Sequence, residues 1–145
     1  MNVGDVCVRK VTTADPNDTI RGAARRMLRE SVGTLVIVDS RGDEPRAIGM
    51  VTDRDIVTRA VAPDRDLDAS PLSTVMSVPV HAVLESMPLE DAVDRMNAKA
   101  VRRLVVTDDR GVLTGILALD DVLETLVREI DAIGKLIVRH PPIYG

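Results

Sequence analysis

Two short stretches place acidic and hydroxyl side chains where a chain turns from a strand into a helix. The first is Gly49-Met50-Val51-Thr52-Asp53-Arg54-Asp55, the second Gly115-Ile116-Leu117-Ala118-Leu119-Asp120-Asp121. A helix N-terminus offers free N–H groups to a phosphate. A carboxylate there can accept hydrogen bonds from both hydroxyls of a ribose, as in other nucleotide sites. A threonine hydroxyl adds a donor to sugar or phosphate. A glycine before the turn permits close backbone approach. Such a set suits a nucleotide. Thr52-x-x-Asp55 is also a capping-box signature, and by itself that explains the first copy. The second copy weakens the explanation, because Ala118 cannot cap and Asp121 still stands in the equivalent place.

These junctions recur because the chain is duplicated. Leu35-Val36-Ile37-Val38-Asp39 reappears as Leu104-Val105-Val106-Thr107-Asp108, and Ala23 and Met27 reappear at the same spacing as Ala92 and Met96. Asp43-Glu44-Pro45 has no counterpart, a length change of the kind hairpin loops tolerate. Each copy reads as a short strand (Val11 to Thr13, Val80 to Val83), a helix, two apolar strands around a turn, and a second helix. In the first helix Ile20, Ala23, Ala24, Met27 and Leu28 fall on one face, with Asp18 or Thr19 as cap. Leu89, Ala92, Val93 and Met96 repeat that stripe after Pro88. Gly42 and Gly111 are expected to supply positive φ in the two hairpins. The closing helices are read near Asp53 to Val61 and Asp120 to Ile133.

The expected fold is therefore α/β (α+β), two β-α-β-β-α repeats packed through their sheets with pseudo-two-fold symmetry. A repeat of about sixty residues is marginal alone, so two sharing a core is the stable solution. The predicted division is repeat one over 1–62, an exposed linker over 63–71, repeat two over 72–133 and an apolar tail over 134–145.

Composition narrows the function. Of 145 residues, 45% are hydrophobic and 1% aromatic, and the formal net charge is −4. Single-stranded nucleic-acid binders stack bases on aromatic rings and duplex binders show a basic stripe, so nucleic acid is not an expected partner. Arg21, Arg25, Arg26 and Arg29 read as an exposed helix face. The lone Cys7 reads as a small buried apolar residue. No apolar run suggests a membrane span and no signal-peptide pattern is visible, so a cytoplasmic protein is expected. His81 and His140 are the only histidines, and neither belongs to a recognisable nucleophile motif. No enzyme activity is expected, and no metal site either: Asp53, Asp55, Asp120 and Asp121 could meet a Mg²⁺ carried by ATP, but they read first as helix-first-turn acids.

In its ordered motifs the chain resembles a tandem pair of cystathionine β-synthase (CBS) domains, a Bateman module. The resemblance is carried by Asp15-Pro16-Asn17-Asp18-Thr19-Ile20, Gly33 to Asp39 and Gly49 to Ile56 in one unit, and by Val101 to Val106 and Gly115 to Asp121 in the other. It covers residues 1 to about 130, and it implies binding of an adenosine-containing ligand: AMP, ADP, ATP, NAD or S-adenosylmethionine. Asp55 and Asp121 would hold ribose, with Thr52 beside the sugar-phosphate. Gly49 and Gly115 mark the two junctions. Backbone around Val11-Thr12-Thr13 and Val80-His81 would flank adenine. Arg102 or Arg103 would reach a phosphate, or else is exposed strand-edge charge. Ala118 departs from the pattern, so one competent site (Thr52, Asp55) and one weaker or empty site are expected. The implied role is a stand-alone sensor acting through a homodimer on an unknown regulated protein. A ligand-free dimerisation module and an Asp-dependent nucleotide hydrolase are the alternatives.

Overall fold

The computed structural model describes residues 1–140 and 143; the part of the predicted tail at 141, 142, 144 and 145 lies outside the described residues. The elements are α1 (Val3–Val6), β1 (Thr13–Ala14), α2 (Ile20–Glu30), β2 (Thr34–Asp39), β3 (Arg46–Thr52), α3 (Asp53–Ile56), β4 (Ala82–Leu84), α4 (Leu89–Lys99), β5 (Arg103–Thr107), β6 (Leu113–Ala118) and α5 (Leu119–Arg139). They build two three-stranded sheets, β1-β2-β3 and β4-β5-β6. In each, the first pair is parallel and the second antiparallel. The expected duplicated β-α-β-β-α architecture is present.

Alternation along the middle strands explains the layers. Leu35 and Ile37 point to the helix side and join Ile20, Ala23 and Met27 in one core; Leu104 and Val106 join Leu89, Ala92 and Met96 in the other. Val36 and Val105 point to the opposite sheet faces and are buried as well, so both faces of each sheet are covered. Across the repeats, Leu113 N–H donates to the Pro45 carbonyl at 3.0 Å and Arg46 to the Arg110 carbonyl at 2.7 Å.

The leading segments are exchanged between the repeats. Val3, near the start of the first copy, is buried in the core of the second, where Val6 and Cys7 also pack. Leu72 and Val75, which begin the second copy, are buried in the core of the first. Isolated bridges fasten each crossing: Val8 to Ile116 and Ser77 to Met50. Arg9 donates to Glu85 at 2.7 Å, and that hydrogen bond lowers the Glu85 pKa. A lowered folded-state pKa stabilises above the ordinary glutamate range, and the contribution fades as pH falls through the lowered value. The pair is partly exposed, so the effect is small. Amide exchange at Gly4, whose N–H donates to the Glu85 carbonyl, should quicken on acidification relative to Val36 in the centre of the first sheet; equal loss at both would contradict this.

Local expectations fail in instructive places. Ile20, Ala23 and Met27 are buried, but Ala24 and Leu28 are exposed. They lie on the edge of the stripe, beyond the reach of a sheet three strands wide. Thr19 is the cap, accepting from Gly22 N–H at 3.0 Å. Gly111 has φ +81°, whereas Gly42 does not adopt positive φ, because the longer loop through Pro45 spreads the reversal over more residues. The linker does more than connect. Its Leu67 and Ser70 carbonyls accept from Arg21 and Ile20 N–H at 3.0 and 3.2 Å, satisfying donors that the first turn of α2 leaves free. After Ile56 the first closing helix widens to a π-helical turn over Val57–Val61. The second, read to Ile133, continues to Arg139. No helix among the described residues is long and apolar enough to cross a membrane.

Candidate functional site

The strand-to-helix junction of the first repeat is a complete capping box. Thr52 Oγ1 accepts from Asp55 N–H at 3.1 Å and Asp55 Oδ2 accepts from Thr52 N–H at 2.9 Å. This leaves the Thr52 hydroxyl proton free to donate. Asp55 Oδ1 stands 3.7 Å from Arg59 Nε, beyond a hydrogen bond, so it keeps acceptor capacity. Only 16% of the Asp55 side chain is exposed. Arg59 also donates to the Val75 carbonyl and to Ser77 Oγ, both at 3.3 Å, and so ties Asp55 to the crossing segment.

The carboxylate opens into a cleft of about 430 Å³ lined by Met50, Thr52 and Asp55 from one repeat and by Ser77 to His81 and Val101 to Arg103 from the other. Neither repeat forms it alone. One side supplies the acid and hydroxyl; the other supplies an apolar wall at Val78, Pro79 and Val80 and two guanidinium groups. Small-ligand sites span roughly 300–1,000 Å³ and combine apolar walls with a few placed polar groups.

A second cleft of about 240 Å³ is its pseudo-symmetric counterpart. Val8, Lys10, Val11, Thr12, Val32 to Thr34, Ile116 and Ala118 line it, and Arg103 borders both clefts. Thr12 Oγ1 is engaged with Glu30 at 2.9 Å, and Thr34 Oγ1 is buried without a hydrogen-bond partner. The backbone repeats faithfully. Asp53 N–H donates to the Gly33 carbonyl at 2.9 Å, Leu119 N–H to Arg102 at 2.8 Å; Val36 N–H donates to Thr12 at 3.1 Å, Val105 N–H to His81 at 2.9 Å. The side chains do not repeat. Ala118 provides no cap.

The sequence-derived candidates divide accordingly. Thr52, Asp55, His81, Arg102 and Arg103 meet in the larger cleft; Thr12 and Arg103 border the smaller. Thr13 lies in β1, its carbonyl accepting from Arg26. Asp121 is absent from both linings, and so are the two glycines. The close approach the glycines allow is that of the chain itself. A Cβ at Gly49 would stand 2.7 Å from Met76 Sδ; one at Gly115 would stand 2.9 Å from Cys7 Sγ and 2.9 Å from the Val8 carbonyl. A thioether can swing aside, whereas the Val8 carbonyl is held in a bridge. Gly115→Ala is thus expected to cost about 1–3 kcal/mol and Gly49→Ala less, as read by urea unfolding; equal costs would contradict this packing. Ser77 to Pro79 and Val32 to Thr34 were missed as lining residues. Val32 to Thr34 correspond to Val101 to Arg103 in the duplication, so carrying the repeat alignment across from Arg102 and Arg103 finds them; Ser77 to Pro79 correspond to Val8 to Lys10, which carry no signal of their own in the sequence. Cys7 packs beside the second core with its thiol pKa raised by burial, unsuited to nucleophilic chemistry. Among the described residues no three His, Cys, Asp or Glu side chains gather to hold a metal.

Comparison with known proteins agrees with this architecture. The CBS domain family profile matches residues 3–62 and 72–128. An uncharacterized protein of Methanopyrus kandleri is 38% identical over 124 residues, 86% of this chain; the chain spans 62% of that relative's length. The CBS domain-containing protein YhcV of Bacillus subtilis is 38% identical over 121 residues, 83% of this chain and 82% of its own. A solved CBS domain protein from Pyrobaculum aerophilum, in complex with AMP, superposes with a TM-score of 0.74 at 28% identity, covering 83% of this chain and 89% of that one.

Proposed function

The chain belongs to the CBS domain family, and from that premise we propose that it is a regulatory module holding an adenosine-containing ligand in the larger cleft and passing occupancy to a partner protein through a homodimer. One observation carries the reading: the cleft joins an acid with a free oxygen, a hydroxyl with a free proton, an apolar wall and two guanidinium groups. Asp55 Oδ1 takes the ribose hydroxyls, Thr52 donates to the sugar-phosphate, Val80 and His81 flank the base, and Arg102 and Arg103 meet the phosphate. The AMP complex of the Pyrobaculum protein supports this ligand class. Any Mg²⁺ would arrive on the ligand's phosphates.

The smaller cleft, with Ala118 and below the usual size for a small-molecule site, is the weaker or empty one. Because the larger cleft is shared between repeats, a ligand there stabilises one arrangement of the two over others, and that difference is what a partner reads. In this reading the role is binding rather than turnover, because one Asp55 oxygen serves the helix cap and the other is taken up by the sugar.

Calorimetric titration with AMP, ADP, ATP, NAD and S-adenosylmethionine tests the reading. Saturable binding of at least one, with a single strong site per chain, is expected. If none binds at millimolar concentration, the ligand-free dimerisation module replaces it. Hydrolysis of ATP by the pure protein would replace it with an enzyme.

A further inference from the structure

Arg59 braces the acid of the larger cleft without lining the cleft itself. Its Nε stands 3.7 Å from Asp55 Oδ1, and its Nη1 donates to the Val75 carbonyl and to Ser77 Oγ, both at 3.3 Å. Asp55 and Ser77 line the cleft and Arg59 does not. One guanidinium thus ties together two walls that different repeats supply. A planar fork of fixed donors suits that task, and the single point charge of an ammonium does not.

The backbone fixes where that fork starts. Arg59 lies in the π-helical turn Val57–Val61, a geometry frequent at functional sites. Four residues on stands Pro63, which has no N–H to give the Arg59 carbonyl. Arg65 Nε donates to that carbonyl instead, at 2.9 Å. The Arg65 N–H donates to the Ala60 carbonyl at 2.9 Å, and Ala60 is buried in the first core. The end of the closing helix is therefore anchored at the residue that carries the fork.

We propose that Arg59 is a positioning residue for the sugar: it sets the direction of Asp55 Oδ1 so that this oxygen meets both ribose hydroxyls, and it thereby selects a ribose over a 2′-deoxyribose. The inference rests on the adenosine ligand of the proposed function and adds the sugar specificity of that site. The cap bond from the Thr52 N–H fixes only Oδ2. The last torsion of an aspartate is broad, so a second constraint is needed to hold Oδ1 in hydrogen-bond geometry with two hydroxyls. The second repeat supplies the contrast. There Asp121 answers Asp55 and Thr125 answers Arg59. The Thr125 hydroxyl donates to the Asp121 backbone carbonyl at 2.9 Å, so its one proton is used on the helix, and Asp121 lines neither cleft.

Calorimetry with AMP, 2′-deoxy-AMP and adenosine on the full-length wild type and Arg59→Met tests this. Wild type should bind AMP about tenfold more tightly than 2′-deoxy-AMP, the worth of one hydrogen bond to a charged group. Arg59→Met should bind AMP about tenfold more weakly than wild type, because one hydroxyl loses its acceptor. It should bind 2′-deoxy-AMP almost as wild type does, so the preference for ribose nearly disappears. The apolar wall stays in place in the variant, since Ser77 and Met50 exchange backbone hydrogen bonds at 2.8 and 3.2 Å. Adenosine should weaken by the same factor as AMP. Arg59→Lys should fall between wild type and Arg59→Met, and it carries the test if the methionine variant does not fold. Equal weakening of AMP and 2′-deoxy-AMP would make Arg59 a structural staple and overturn the proposal. Weakening of AMP without adenosine would assign it to the phosphate and overturn the proposal as well. A wild type that binds AMP but shows no ribose preference, or a variant that keeps it, overturns the Arg59 role alone. A wild type that binds no AMP overturns the adenosine reading and this role with it.

Discussion

Leu72→Ala should cost about 2–5 kcal/mol, and the damage should appear in the first repeat although Leu72 stands at the start of the second. Its side chain is fully buried and packs in the core that holds Ile20, Leu35 and Val51. Its N–H donates to the Asp18 carbonyl at 2.8 Å, just before α2. Truncation leaves a cavity that a thin layer of helix on sheet cannot collapse to fill. Amide exchange should show the strands β1 to β3 losing protection before β4 to β6. Loss confined to the second sheet would show that the leading segments are not exchanged. The mirror position is Val3, buried in the second core.

Asp55→Ala should weaken AMP binding by about 3 kcal/mol, roughly a hundredfold, because a carboxylate that holds two ribose hydroxyls makes charge-assisted hydrogen bonds. The same change removes half of the capping box and should cost about 1 kcal/mol of stability. The two losses separate by chemistry. Asp55→Asn keeps an oxygen for the Thr52 N–H and loses the charge, so it should retain most of the stability while binding about tenfold more weakly than wild type. Calorimetry and thermal unfolding on the same variants read the two effects. Unchanged affinity with reduced stability in both would make Asp55 a helix cap and nothing more.

That double role of Asp55 was visible in the sequence. Thr52-x-x-Asp55 forms the cap its spacing predicts, so the cap reading of the first copy is correct as far as it goes. At the second junction the expected absence of a reciprocal cap at Ala118 is found, and Asp121 is not among the residues lining the smaller cleft. Asp55 is instead distinguished by facing the larger cleft with one oxygen uncommitted.

The duplication, the strands and the helix stripes were legible because they rest on local periodicity. Leu35 and Ile37 alternate with Val36 on one strand, and no distant residue is needed to see it. The exchange of Val3 and Leu72 was not legible, because which core receives a short leading segment depends on packing between the repeats. For the same reason the junction glycines showed that something comes close, but not that Val8 and Met76 are what come close. The cleft was half legible. Thr52 and Asp55 announce themselves by type and spacing, whereas Ser77 to Pro79 reach it only because the chain crosses over.

The claim that an adenosine ligand sits between the repeats at Asp55 is tested most directly by following backbone amides by NMR as AMP is added. Saturable shifts should concentrate at Met50 to Asp55, Ser77, Val78, Val80 and His81, and Val101 to Arg103, with residues from both repeats moving in one binding curve. Shifts confined to one repeat or lying away from these segments, or none at millimolar AMP, would contradict it.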